Sequence, residues 1–208
     1  MSEKFNTEQE SFWAGEFGND YSQRNIGNEW IAANTALFSE ILANTHNVES
    51  VVEFGANIGL NLKALNTLLP RANLAAVEIN DTAVKELDTW GRCTTYHESL
   101  LEFQPEKTWD MTLIKGVLIH INPDHLETVY DLLIKSSKRY ICVAEYYNPT
   151  PVAIPYRGHD ERLFKRDFAG EIMDRYPELT LIDYGFKYHR DNNFPQDDIT
   201  WFLLEKSQ

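Results

Sequence analysis

The order of apolar runs and helical stretches in this chain predicts an α/β fold, a mostly parallel sheet with helices on both faces. Three observations carry that expectation. Apolar runs at 51–54 and 74–78 and short strand-like segments near 93–97, 110–115 and 139–145 have the length of strands, and stretches of helical periodicity alternate with them. The first run, Val51-Val52-Glu53-Phe54, feeds a glycine-bracketed turn, Gly55-Ala56-Asn57-Ile58-Gly59, that opens into a helix. The second, Leu74-Ala75-Ala76-Val77-Glu78-Ile79, ends in a carboxylate roughly twenty residues further on, the spacing at which an acid accepts the hydroxyls of a ribose.

The elements follow in order from local signals. Thr7-Glu8-Gln9-Glu10 has a capping-box pattern and predicts a short helix carrying Phe12 and Trp13. Between 28 and 44, Trp30, Ile31, Ala33, Leu37, Phe38 and Ile41 recur at helical spacing, an amphipathic helix leading into the first strand. A helix from about 59 to 69 is stopped by Pro70, and one from 81 to 90 begins at Asp81 as its cap and ends at Gly91. A helix over 123–136 separates the fourth and fifth strands. After a loop and a helix reaching Tyr176, runs near 179–189 and 197–205 read as an antiparallel pair joined by Asp191-Asn192-Asn193-Phe194-Pro195.

Composition bounds the setting. With 208 residues, 43% of them hydrophobic and 12% aromatic, the chain suits one well-filled domain. It divides into an N-terminal lid and helix (1–45) and a core (46–208), with an insertion at about 147–176. No apolar run approaches a membrane span, and the first residues lack a secretory layout, so a cytoplasmic location is expected. Cys93 and Cys142 are too few for a metal cage, and Cys142 sits in an apolar strand as a small buried hydrophobe, so neither a metal nor a disulfide is expected. A formal net charge of −13, from 32 acidic against 19 basic residues, repels phosphate backbones and argues against nucleic acid as a partner.

The glycine turn has to choose its ligand by spacing. A dinucleotide fingerprint, G-x-G-x-x-G, would place glycine at Asn57 and Leu60, and neither is glycine. A short-chain reductase would also need Tyr-x-x-x-Lys, and no tyrosine here has lysine four residues later. The pattern present, Glu53-x-Gly55-x-Asn57-x-Gly59, resembles the first motif of class I S-adenosylmethionine-dependent methyltransferases, with asparagine at the usual middle glycine. Asparagine tolerates a left-handed backbone, so the turn survives the exchange. The N-terminal stretch Phe12-Trp13-Ala14-Gly15-Glu16-Phe17-Gly18, followed by Tyr21 and Arg24-Asn25, is similar to the methylases associated with pseudaminic acid biosynthesis, and with the core motifs the resemblance covers most of the chain.

That resemblance implies a Rossmann-like sheet of seven strands, mostly parallel with an antiparallel last strand, and S-adenosyl-L-methionine as cofactor. It implies cofactor contacts from Glu53, Gly55, Ala56, Asn57 and Gly59 in the turn, and from Glu78 and Ile79 after the second strand. Ser99 and Leu100 would meet the adenine, although an aspartate is commoner at the polar position and Glu98 competes with Ser99 for it. Lys115 and Gly116 would line the cofactor through backbone groups, while Tyr21 and Arg24 close over it, Arg24 facing its carboxylate. His120, in Gly116-Val117-Leu118-Ile119-His120-Ile121, is a candidate general base or else a core histidine; Glu145, ending the fifth strand, is a competing base or a loop-ordering carboxylate.

Cations gather at Pro155-Tyr156-Arg157-Gly158-His159-Asp160-Glu161-Arg162-Leu163-Phe164-Lys165-Arg166, where Tyr156, Arg157, His159 and Arg162 could meet an anionic acceptor such as a nonulosonic acid or its nucleotide-activated form. Neighbouring Asp160, Glu161 and Asp167 offset most of that charge, and surface ion pairs explain the cluster as well. The expected protein is a methyltransferase, monomer or homodimer, acting on a small polar metabolite. A cofactor-sensing or scaffolding module without turnover would carry the same binding motifs.

Overall fold

A computed structural model describes residues 5, 7–24, 27–156 and 159–207, with residues 155, 156 and 159–162 described by backbone alone. Strands β1 (Ser50–Phe54), β2 (Asn73–Glu78), β3 (Cys93–His97), β4 (Trp109–Lys115) and β5 (Ser137–Glu145) are followed by β6 (Val152–Tyr156), β7 (His159–Lys165), β8 (Leu179–Lys187) and β9 (Ile199–Lys206). The helices are α1 (Glu8–Ala14), α2 (Glu16–Arg24), α3 (Asn28–Leu42), α4 (Leu60–Leu68), α5 (Asp81–Trp90), α6 (Leu126–Ser136) and α7 (Phe168–Arg175).

Seven strands form one sheet in the order β3-β2-β1-β4-β5-β9-β8. The first five pair in parallel, and β9 is antiparallel to both β5 and β8, so the reversed strand is the last one, as expected. Side chains alternate across the pleat and build two cores. On one face Val52, Phe54, Ile114 and Val143 pack with Val129 and Leu133 of α6 and Ile172 of α7. On the other, Val51, Met111, Leu113 and Cys142 pack with Leu37 and Phe38 of α3 and Leu62 and Leu65 of α4. The sequence of β1 is apolar at consecutive positions because both of its faces are covered.

Three local features differ from the sequence-based expectation. The cap of α5 is Asn80, not Asp81: Asn80 has extended backbone angles and its side chain accepts from the Ala83 N–H at 3.0 Å, whereas Asp81 is already helical and pairs with Lys85. The polar aromatic stretch after α1 is itself helical, as α2. The insertion holds an antiparallel hairpin, β6 with β7, which stands apart from the main sheet and packs against the 3₁₀ turn Leu118–His120. The chain direction at the carboxyl ends of β1 to β4 leaves one crevice there, roofed by α1 and α2.

Candidate functional site

The crevice is a cavity of about 210 Å³ running across the ends of β3, β2, β1 and β4. Strand order places its wall: Ser99 and Leu100 after β3, Glu78 and Ile79 at the end of β2, the Gly55–Asn57 turn after β1, and Lys115, Gly116 and His120 at and after β4. This is the position at which open α/β sheets bind ligands.

The glycine turn is built as the spacing implied. Asn57 adopts φ 46°, the left-handed conformation expected where a glycine is usual, between Gly55 at φ 72° and Gly59 at φ 75°. The tight packing at these glycines is internal to the protein. A Cβ on Gly55 would come within 2.5 Å of the Val117 side chain, and one on Gly59 within 2.6 Å of Leu87. Gly59 itself caps α4 and lies behind the cavity wall. The approach to ligand space is instead at Gly116, φ 66°, where an added Cβ meets nothing within 4 Å and would project into the open crevice.

Glu78 is buried, and its two oxygens accept from Asn57 N at 2.7 Å and Asn80 N at 2.8 Å. The carboxylate thus joins the β1 turn to the β2 turn, and each oxygen keeps a lone pair for a hydroxyl donor. Burial raises its pKa, with the backbone N–H donors opposing the shift. Glu53 lies behind the turn, off the cavity wall, accepting from Asn61 Nδ2 at 2.5 Å while its other oxygen is buried without a partner. Burial pushes Glu53 up to about 8. Burial likewise lowers Lys115, and the attraction of Glu53, Asp197 and Glu145 opposes that change.

Glu145 is placed beneath the β4 turn, where Oε1 accepts from both Val117 N and Leu118 N at 2.9 Å. It shapes the turn that presents His120 and does not line the cavity, so the loop-ordering reading fits its geometry; burial pushes it to about 7. His120 lines the cavity, buried, with its ring centroid 4.7 Å from that of Trp13.

The N-terminal helices cover the crevice through named contacts to each binding turn. Ser22 Oγ donates to Asn57 Oδ1 at 2.7 Å, and Asn80 Nδ2 donates to the Trp13 carbonyl at 3.1 Å and to Asn19 Oδ1 at 3.0 Å. Ser99 Oγ donates to the Glu10 carboxylate. Trp13 packs edge-on against Phe17 and Tyr21 at 5.3 Å each, and Tyr21 lines the cavity. Gly18 permits the close approach of α2, because a Cβ there would lie 1.9 Å from the Trp13 carbonyl oxygen.

Arg24 is exposed at the end of α2, its guanidinium 5.7 Å from the Phe17 ring centre, and it is not part of the cavity wall. Among the described residues Lys115 is the lysine or arginine that lines the crevice. Arg157 lies outside the described residues, and Tyr156, His159 and Arg162 are described by backbone alone on the β6–β7 hairpin. Sequence reasoning passed over Glu10, Asn34, Asn61, Asn80, Gln196 and Asp197, all of which line the cavity. Glu10 had a visible signal, but a capping box is read as a helix start. Asn34 on the apolar face of α3, bonded to Gln196 at 3.0 Å, was findable as a polar residue at a core position.

No protein-family model matches the chain, and no curated protein matches it. Solved structures do match. The 1,6-didemethyltoxoflavin-N1-methyltransferase of Burkholderia thailandensis, solved with S-adenosylhomocysteine, aligns with a TM-score of 0.69 at 14% identity over 100% of this chain and 94% of that one. Magnesium protoporphyrin IX methyltransferase of Synechocystis PCC 6803, also with bound S-adenosylhomocysteine, gives 0.67 at 12% identity over 95% and 97%. Mitomycin 7-O-methyltransferase gives 0.69 at 13% identity over 97% of this chain, which spans 61% of that protein's length. Likeness at this level of identity speaks to architecture: the chain has the Rossmann-like fold shared by S-adenosylmethionine-dependent methyltransferases.

Proposed function

We propose that this protein is an S-adenosylmethionine-dependent methyltransferase acting on a small polar acceptor. The observation that carries the reading is the single crevice joining Glu78, the left-handed Asn57 turn and Lys115, in a fold whose solved relatives include complexes with S-adenosylmethionine or S-adenosylhomocysteine. The residues present fit that cofactor. Glu78 accepts ribose hydroxyls, Ile79 and Leu100 offer apolar faces to the base, and the open space over Gly116 admits the chain beyond the ribose. Asn61 Oδ1, buried without a partner, accepts from the ammonium of the amino-acid end, and Lys115 takes its carboxylate in place of Arg24.

When bound, the cofactor supplies an electrophilic methyl group on sulfur. The protein's work is alignment and exclusion of water. Trp13 and Tyr21 close the crevice from above, and the turn held by Glu145 sets the position of His120. Where the acceptor is a hydroxyl or a protonated amine, a ring nitrogen of His120 receives its proton.

For the acceptor, the reading is an anionic sugar of the nonulosonic or pseudaminic type. Support comes from the N-terminal aromatic segment, from His159 and Arg162, which belong to a hairpin that packs against the His120 turn, and from Arg157 as their neighbour in sequence. The test is calorimetry with S-adenosylhomocysteine, followed by mass spectrometry of nonulosonic acids incubated with isotope-labelled cofactor. Transfer of one labelled methyl group is expected. Binding without turnover on any acceptor favours the sensing module, and no binding refutes the methyltransferase reading.

A further inference from the structure

Glu10 has more contacts than a helix cap requires. Its Oε2 accepts from the Thr7 N–H at 2.8 Å and from the Thr7 hydroxyl at 3.1 Å, which is the capping box of α1. The other oxygen accepts from Ser99 Oγ, and that hydroxyl accepts from the Leu101 N–H at 3.0 Å. Glu10 is more than nine-tenths buried as a residue, yet it lines the crevice. Next to it, the Leu100 N–H has no hydrogen-bond partner among the described residues.

We infer that Glu10, supplied by the N-terminal lid, reads the exocyclic amine of the cofactor's purine. The inference rests on the nucleoside reading of the crevice. With the ribose on Glu78 at the end of β2, the base extends toward either β1 or β3. The β1 side is occupied by the Gly55–Asn57 turn and its hydrogen bonds to Glu78. The β3 side offers Ile79 and Leu100 as apolar flanks, and behind them Glu10 and Ser99. An adenine edge there presents a donor amine beside an acceptor ring nitrogen, and the wall presents a carboxylate oxygen beside the Leu100 N–H. The two patterns are complementary. Glu98, the acid in the loop after β3, also lines the crevice but is exposed, whereas Glu10 is buried and oriented by Ser99, so the carboxylate that meets the amine comes from α1 and base recognition and lid closure become one event.

The capping box makes Glu10→Gln an informative variant. Glutamine preserves the cap, but the cap needs the oxygen, so the amide nitrogen is left facing Ser99 and the base. A donor then opposes a donor. The probes are S-adenosylhomocysteine and its 6-hydrogen purine analogue, which lacks only the amine, titrated into the full chain by calorimetry. The unliganded melting temperature of each protein is measured beside them.

The wild type should bind S-adenosylhomocysteine about tenfold to a hundredfold more tightly than the analogue, the scale of a hydrogen bond to a charged group. Glu10→Gln should bring the ratio to within about threefold of unity with the unliganded melting temperature unchanged. A wild type indifferent to the amine overturns the inference, as does a glutamine variant that keeps the full preference. If the variant does not fold, the wild-type ratio alone still decides against the inference when it is near unity, and Ser99→Ala, which frees the carboxylate from its orienting hydroxyl, should lower a high ratio several-fold; an unchanged ratio overturns it. Absence of binding by either probe to the wild type is a different result, because it removes the nucleoside reading itself.

Discussion

Burial of Glu53 without a full set of partners has a consequence for stability that can be measured without any ligand. The carboxyl is 1% exposed, one oxygen is bonded to Asn61 and the other to nothing, and its pKa is pushed from 4.5 to about 8. A group whose folded pKa lies above its unfolded value binds protons more tightly when folded. Its contribution to stability is therefore fully present below pH 4.5 and is lost as pH rises through about 8. With 1.36 kcal/mol per unit of pKa, the loss accumulated by pH 8 is about 4 kcal/mol, an upper bound because the side chains around an ionised Glu53 can relax. Glu53→Gln keeps the acceptor for Asn61 and removes the ionisation. Urea unfolding of both proteins at pH 5, 6, 7 and 8 should give curves that nearly coincide at pH 5 and diverge in favour of glutamine as pH rises. Parallel stability profiles across that range would refute the assignment of a strained, proton-hungry carboxyl behind the turn.

Other expectations follow from the same geometry. Lys115→Met should weaken S-adenosylhomocysteine binding about tenfold to a hundredfold, the loss of one charge-assisted contact, while methylthioadenosine, which has no amino-acid end, should bind both proteins alike; equal losses for both ligands would place Lys115 elsewhere in the mechanism. Gly18→Ala forces α2 away from Trp13, and hydrogen exchange over residues 7–24 should rise with little change in the sheet; unchanged exchange would mean that the lid is not held by that contact. Ser22→Ala removes the bond to Asn57 and should cost about 1 kcal/mol in cofactor affinity, read by calorimetry. His120→Ala should leave S-adenosylhomocysteine affinity within about threefold and lower kcat about a hundredfold or more for an acceptor that must lose a proton; intact turnover on such an acceptor would assign His120 to packing alone.

The central parallel strands were legible because they are short apolar runs covered on both faces, which leaves a continuous signal in Val51–Phe54 and Leu74–Glu78, whereas the edge strand β3, Cys93-Thr94-Thr95-Tyr96-His97, buries none of its residues. The Gly55-Ala56-Asn57 turn was legible because only a few residue types tolerate its backbone, and Asn57 at φ 46° obeys that restriction. The β6–β7 hairpin was not legible: its segment mixes charges with prolines and glycine, and its pairing is set by what it packs against. The same limit explains Glu145 and Arg24. A carboxylate at a strand end can face a ligand or reach back to a turn, and an arginine in a lid can face inward or outward, with no difference in local sequence.

What this chain determines by itself is local and steric: where apolar runs form strands, where a backbone must turn left-handed, and which carboxylate ends β2. The tertiary structure alone decided which polar groups converge. Ser22 meets Asn57 across 35 positions and Ser99 meets Glu10 across 89, separations at which sequence periodicity carries no information. Those pairings depend on how α1 and α2 cross the ends of the sheet, and that crossing is fixed by packing, as Gly18 against Trp13 makes plain.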